Sequence, residues 1–244
     1  MFGIILLATL IGSLIAMIGG ILLLWYEKYV KKHLLTLVSF AAGSLLGAAY
    51  LELLPEAIEA YPLRTVGSAM IAGILTLFVL EKVLEWYHSH EESEQKILST
   101  TVLIGDSFHN FIDGIIIALS FGIGGMQVGI ASTIAVFLHE IPQEIGDFAI
   151  LMHAGYSKKK VILYNALTAL TAVVGGIIGY FLLETIEPYI GIFVAVAAGF
   201  FTYISVSDLL PELKHKTAGR DLGHLVALLL GVLVIWSLGA YFPE

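Results

Sequence analysis

The chain has 244 residues, of which 58% are hydrophobic and 13% charged, and its mean hydropathy is +0.92. An ordinary soluble domain carries about 25% charged residues, so this composition argues against a soluble enzyme, a disordered chain and a coiled coil. The formal net charge of −8 disfavours nucleic acid as a partner and suits a cationic one. Cysteine is absent, which excludes disulfides and thiolate metal sites.

Charge clusters, Pro and Gly divide the chain into eight apolar segments, at roughly 2–25, 34–58, 63–87, 98–122, 126–153, 161–183, 188–212 and 222–242. Each is long enough to cross a bilayer as a helix. Lipid cannot satisfy the free backbone groups of an open strand, and none of the segments alternates like a barrel strand. The expectation is an all-α membrane protein with eight transmembrane helices and no separate soluble domain. The first segment has neither a basic leader nor a small-residue cleavage pattern, so it reads as a retained span.

The basic residues set the orientation. Lys28, Lys31 and Lys32 follow span 1, and Lys82 and Lys96 flank the turn between spans 3 and 4. Lys158, Lys159 and Lys160 follow span 5, while Lys214, Lys216 and Arg220 follow span 7. Only Arg64 lies at the opposite end. The positive-inside rule then predicts that both termini are outside. The polar stretch from His88 to Lys96 becomes a short cytoplasmic loop, in which His88 and His90 could collect metal weakly.

Spans 2 and 7 share a pattern. Ala41-Ala42-Gly43, followed after eight residues by Glu52-Leu-Leu-Pro55-Glu56, matches Ala197-Ala198-Gly199 followed by Asp208-Leu-Leu-Pro211-Glu212, at a constant offset of 156 residues. An odd number of crossings separates the two spans, so they run in opposite directions. This predicts an inverted repeat of the kind used by secondary transporters. The chain is one eight-span domain (1–244) in a 3+2+3 arrangement. Its first repeat covers about 1–87, its central pair about 98–153 and its second repeat about 161–244. Glu52 and Glu56 then lie toward the outer face, and Asp208 and Glu212 toward the cytoplasm.

Spans 4 and 5 hold the chemistry. Span 4 reads Asp106-Ser-Phe-His109-Asn110-Phe-Ile-Asp113-Gly114, and span 5 reads His139-Glu140-Ile-Pro142-Gln143-Glu144-Ile-Gly-Asp147. A charge at the bilayer centre costs about 2.5–3.5 kcal/mol on insertion scales, and neither span contributes a Lys or Arg among these acids. His109 and Asp113 are four apart on one helical face, as are His139 and Gln143, and Asp147 continues that line. Asn110, Glu140 and Glu144 lie one step round. Two facing helices can so present imidazole and oxygen donors to a shared centre, a set that suits Zn, Fe or Mn. Pro142 removes a backbone hydrogen bond and crowds the carbonyl of Leu138, which could then meet a passing ion. His153 closes span 5 as a candidate exit ligand.

These two motifs, with the Leu-Leu-Pro-Glu pattern of span 7, resemble the ZIP family of divalent-metal transporters, over essentially the whole chain. The resemblance implies a principal metal on His109, Asp113, His139 and Gln143, and a second, adjacent one that adds Asn110 and Glu140. Gln143 stands where the common form of the motif has a second His. The resemblance also implies import of a divalent metal, zinc first and iron, manganese or cadmium also possible, by a homodimer embedded in the plasma or inner membrane lipid. No catalytic cofactor and no enzymatic activity are expected. Glu52 and Glu56 would attract the cation, and Asp147, His153, Asp208 and Glu212 would pass it inward. Two other readings use the same ligands. One is a metal-selective channel, and the other is an intramembrane zinc hydrolase assisted by Ser107.

Overall fold

A computed structural model describes residues 1–25, 32–88, 94–211, 213 and 221–241. Among these residues the chain is helical and forms no strand. Helix α1 is Phe2–Trp25, α2 is Leu34–Ala60 and α3 is Leu63–His88. A helical stretch, Glu94–His153, is broken at Gly125 into α4 (94–124) and α5 (126–153). Helix α6 is Lys158–Phe181, α7 is 190–209 and α8 is Asp221–Tyr241. The helices lie within a few residues of the predicted spans. Among the described residues, seven helices are long and apolar enough to cross a membrane. Helix α5 carries Glu140, Glu144 and Asp147 instead, and all three are buried. The protein is an integral, multi-pass membrane protein.

Two glycines end helices by adopting backbone that other residues avoid. Gly125 (φ 75°, ψ −166°) reverses the chain between α4 and α5 and so sets their motifs side by side. Gly155 (φ 82°) closes α5, where the Gly155 N–H donates to Met152 O and the Tyr156 N–H to Leu151 O, each at 3.1 Å. That pair of bonds satisfies carbonyls a helix end would otherwise orphan.

The packing falls into two groups. Helix α2 packs on α8, and α3 on α7. A Cβ at Gly43 would run into the carbonyl of Leu228, and one at Gly199 into that of Met70. In the other group α1 packs on α5 and α6 on α4. A Cβ at Gly19 would meet Ile141 and Ile145, and one at Gly175 would meet Phe111 and Ile115. Gly43 and Gly199 are 156 apart, as are Gly19 and Gly175. The same offset therefore recurs in sequence and in contacts.

It recurs a third time in the backbone. Helix α2 opens into a π-helical segment over Ala48–Leu53, and α7 does so over Ile204–Leu209. Each is followed by a proline, Pro55 or Pro211. A proline removes an N–H donor and crowds the carbonyl four residues earlier. That carbonyl belongs to Leu51 or Ser207, inside the widened turn. Ser205, in the second π segment, donates from Oγ to Ala42 O at 2.8 Å and ties α7 to α2.

Gly43→Val and Gly199→Val should each force a helix pair apart against backbone, at about 1–3 kcal/mol for such overpacking. Gly67→Ala, which meets nothing within 4 Å inside α3, should cost nothing and gain up to about 1 kcal/mol of helix propensity. Thermal unfolding in detergent checks this. Unchanged melting of both valine variants would contradict the close approach.

Candidate metal centre

Helices α4 and α5 bring their two motifs into one buried cluster. His109, Asp113, His139 and Glu140 are each 5% exposed or less. One donor atom from each lies within 4.8 Å of all the others. His109 Nε2 stands 3.3 Å from Asp113 Oδ2 and 3.3 Å from Glu140 Oε1. His139 Nε2 stands 3.5 Å from Asp113 Oδ2. The Gln143 amide nitrogen is 3.4 Å from His109 Nε2.

Two arrangements can be compared with these distances. A charge-assisted N–H···O bond closes to about 2.7–2.9 Å, and none of the four contacts does so. Ligands 2.0–2.1 Å from a tetrahedral zinc are separated by about 3.3 Å. Three donor separations, at 3.3, 3.3 and 3.5 Å, lie near that spacing. Asp113 Oδ2, Glu140 Oε1, Gln143 Oε1 and Glu144 Oε2 are buried and accept no hydrogen bond of good geometry among the described residues. Buried polar atoms without partners are uncommon, and a cation among these oxygens would satisfy them.

The remaining predicted residues are placed as follows. Asn110 is buried and donates to Asp106, at 3.0 Å to Oδ1 and 3.3 Å to the backbone oxygen. Glu144 and Asp147 are buried on α5 toward its C-terminal end. Glu52 lies in the first π segment with Oε2 4.0 Å from His139 Nδ1, so it reaches the cluster itself. Glu56 is half-buried one turn beyond, and His153 is half-buried in the last turn of α5. Asp208 is in the second π segment, but its side chain, like that of His88, lies outside the described residues, as do all of Glu212 and His90. Ser107 donates to Leu103 O of its own helix at 2.7 Å. His224, at the start of α8, contacts Ser39 Oγ at 3.2 Å.

Two contributors had no assigned role in the sequence. Asp106 is buried and holds Asn110; the i, i+4 spacing of that pair was its signal. Phe201 of α7 packs its ring 4.7 Å from that of His109. An apolar residue in an apolar span gives no such signal.

No Lys or Arg stands between residues 97 and 153 to neutralise these acids. Removing one buried charge should therefore stabilise the metal-free protein. Glu144→Gln keeps the shape and is expected to gain about 1 kcal/mol or more, read as a higher melting temperature in detergent with a chelator present. A lower melting temperature would show that Glu144 has a cationic partner within the fold.

The family model described as ZIP Zinc transporter matches residues 2–97 and 87–239. The chain is 34% identical over 223 residues to Zinc transporter ZIP13 of Pongo abelii, covering 83% of this chain and 66% of that protein. It is 38% identical over 138 residues to Zinc transporter ZIP6 of Homo sapiens, covering 54% of the chain and 18% of that protein. It is 40% identical over 136 residues to Zinc transporter ZIP10 of Danio rerio, covering 54% and 16%. The chain thus spans just under two thirds of the first relative and less than a fifth of the other two. A family model matched over nearly the whole chain, on a helical membrane fold with a buried His/Asp/Glu cluster, shows that this chain belongs to the ZIP zinc transporter family.

Proposed function

We propose that the chain carries a divalent transition-metal ion, zinc first, across the membrane toward the cytoplasm. One observation carries this reading. Two imidazoles and two carboxylates are buried between α4 and α5 with donor atoms within 4.8 Å of one another, on helices that carry no Lys or Arg between residues 97 and 153. His109, Asp113, His139 and Glu140 would bind the ion, with Gln143, Asn110 and Glu144 completing the shell or a second, adjacent one. Nitrogen and oxygen donors without thiolate favour zinc, iron or manganese over Cu(I).

The path follows from the order of residues along the helices. Glu52 and Glu56 of α2 lead to the cluster from the outer side. Asp147, His153, Asp208 and Glu212 lead from it to the cytoplasm. The 3+2+3 inverted repeat, with both termini outside, is supported by the 156-residue offset of glycine contacts and π segments. Lys158, on the basic side, donates to Leu24 O at the end of α1 at 2.9 Å; this contact supports placing both at the cytoplasmic end. Family resemblance supports a homodimer in the plasma or inner membrane. Ser107 spends its hydroxyl on its own helix, which favours a transporter over a hydrolase.

In proteoliposomes, zinc uptake should saturate, and Asp113→Ala and His139→Ala should each reduce it more than about 10-fold, since even outer-shell changes cost 10–100-fold in affinity. Ser107→Ala should transport normally. Uptake that both ligand variants retain would sink the assignment of the path. Zinc that binds without crossing would sink transport.

A further inference from the structure

The His cluster does not use all of the buried acids. Asp106 lies three residues before His109 on α4, and Glu144 and Asp147 lie four and seven residues after Glu140 on α5. All three are 5% exposed or less. They stand on the side of the cluster toward Lys96 and Lys158, the basic ends of these helices. Asp147 of α5 and Thr168 of α6 both come within hydrogen-bonding reach of Asp106, so three helices meet at this carboxylate. A bond from Thr171 Oγ1 to Ser107 O, at 2.7 Å, pins α6 to α4 beside it.

The donors at this level are already spent. Thr168 Oγ1 gives its proton to Asn165 O at 2.9 Å, so it meets Asp106 with oxygen lone pairs alone. Asn165 is fully buried and shares a face of α6 with Thr168, three residues on. Its Nδ2 donates to Val161 O at 2.7 Å, which leaves Oδ1 as the free end of the amide. Asn110 Nδ2 serves Asp106 Oδ1 at 3.0 Å. What remains is oxygen without a donor. Asp106 Oδ2, Glu144 Oε2 and Asn165 Oδ1 are buried and accept no hydrogen bond of good geometry among the described residues. Buried acceptors left in that state are uncommon. Neither imidazole serves them, since His109 and His139 turn Nε2 toward the other centre.

We propose that Asp106, Glu144, Asp147, Asn165 and Thr168 form a second cation site, built from oxygen alone and separate from the His cluster, that takes a hard divalent cation. Carboxylate and carbonyl oxygens suit manganese, magnesium and calcium, whereas imidazole suits zinc. Magnesium keeps its waters, and so enclosed a site favours a cation that gives them up. The two centres share one helix pair and divide the chemistry, with nitrogen and oxygen donors at the first and oxygen only at the second. This inference goes beyond the transport reading and does not depend on it. It gives Asp106 and Asn165 a ligand role.

The test uses the full chain in detergent, stripped with a chelator and reloaded with one equivalent of zinc to fill the His cluster. Manganese is then titrated in and followed by electron paramagnetic resonance, in which the sharp signal of the free ion fades on binding. Native protein should bind one manganese beside a zinc that stays bound. Asp106→Asn and Asp147→Asn should each weaken manganese about 10-fold or more. Asn165→Leu, which keeps the bulk and removes the oxygen, should weaken it too and still hold the zinc, which shows that the variant folds. Manganese that does not bind, that displaces the zinc, or that binds any of the three variants as tightly as native protein would overturn the proposal.

Discussion

The structure depends on one electrostatic constraint, which is that carboxylates are buried on a helix pair that carries no Lys or Arg between residues 97 and 153. Asp106, Asp113, Glu140, Glu144 and Asp147 are all buried, and the nearest lysines along the chain are Lys96 and Lys158. An uncompensated buried charge is strongly destabilising. Two imidazoles relieve part of it at 3.3–3.5 Å. The remaining negative charge calls for protons or a bound cation, and in the transport reading proposed here that cation is the cargo. Such a site must not satisfy itself too well, because strong internal ion pairs would have to break for every ion bound.

The fold surrounds that cluster with close-packed backbone. Small residues let helices meet where lipid supplies no hydrophobic drive between them, and the glycines at these contacts, Gly43 with Gly199 and Gly19 with Gly175, lie 156 residues apart. Helices α1, α4, α5 and α6 hold the cluster, while α2, α3, α7 and α8 form the other group. Helices α2 and α7 are widened where they carry Glu52 and Asp208. Phe201 walls His109 from the side of α7, so the cluster lies where the two groups meet. An interface between two packed bodies is where a small displacement can change which face a site opens to.

Much of this was legible in the residues. Long apolar runs marked the helices, and the i, i+4 spacing of His109 with Asp113 and of His139 with Gln143 placed the donors on shared faces. The repeated acid-Leu-Leu-Pro-Glu pentad pointed to the two helices that both open into π segments. What was not legible depends on backbone geometry and on contacts between spans. The π segments follow from how each helix accommodates its proline, and propensity does not encode that. Glu52 read as an outer-mouth acid, but the widened turn carries it to within 4.0 Å of His139. Phe201 gains its role only through a neighbour that folding supplies, the ring of His109.

The most direct measurement is zinc K-edge X-ray absorption on purified, zinc-loaded protein. Expected is one tightly held zinc with a mixed nitrogen and oxygen shell at about 2.0–2.1 Å, with imidazole scattering from two histidines that falls by half in His139→Ala. A shell of oxygen alone, or zinc scattering indifferent to that substitution, would contradict a metal centre built from His109, Asp113, His139 and Glu140.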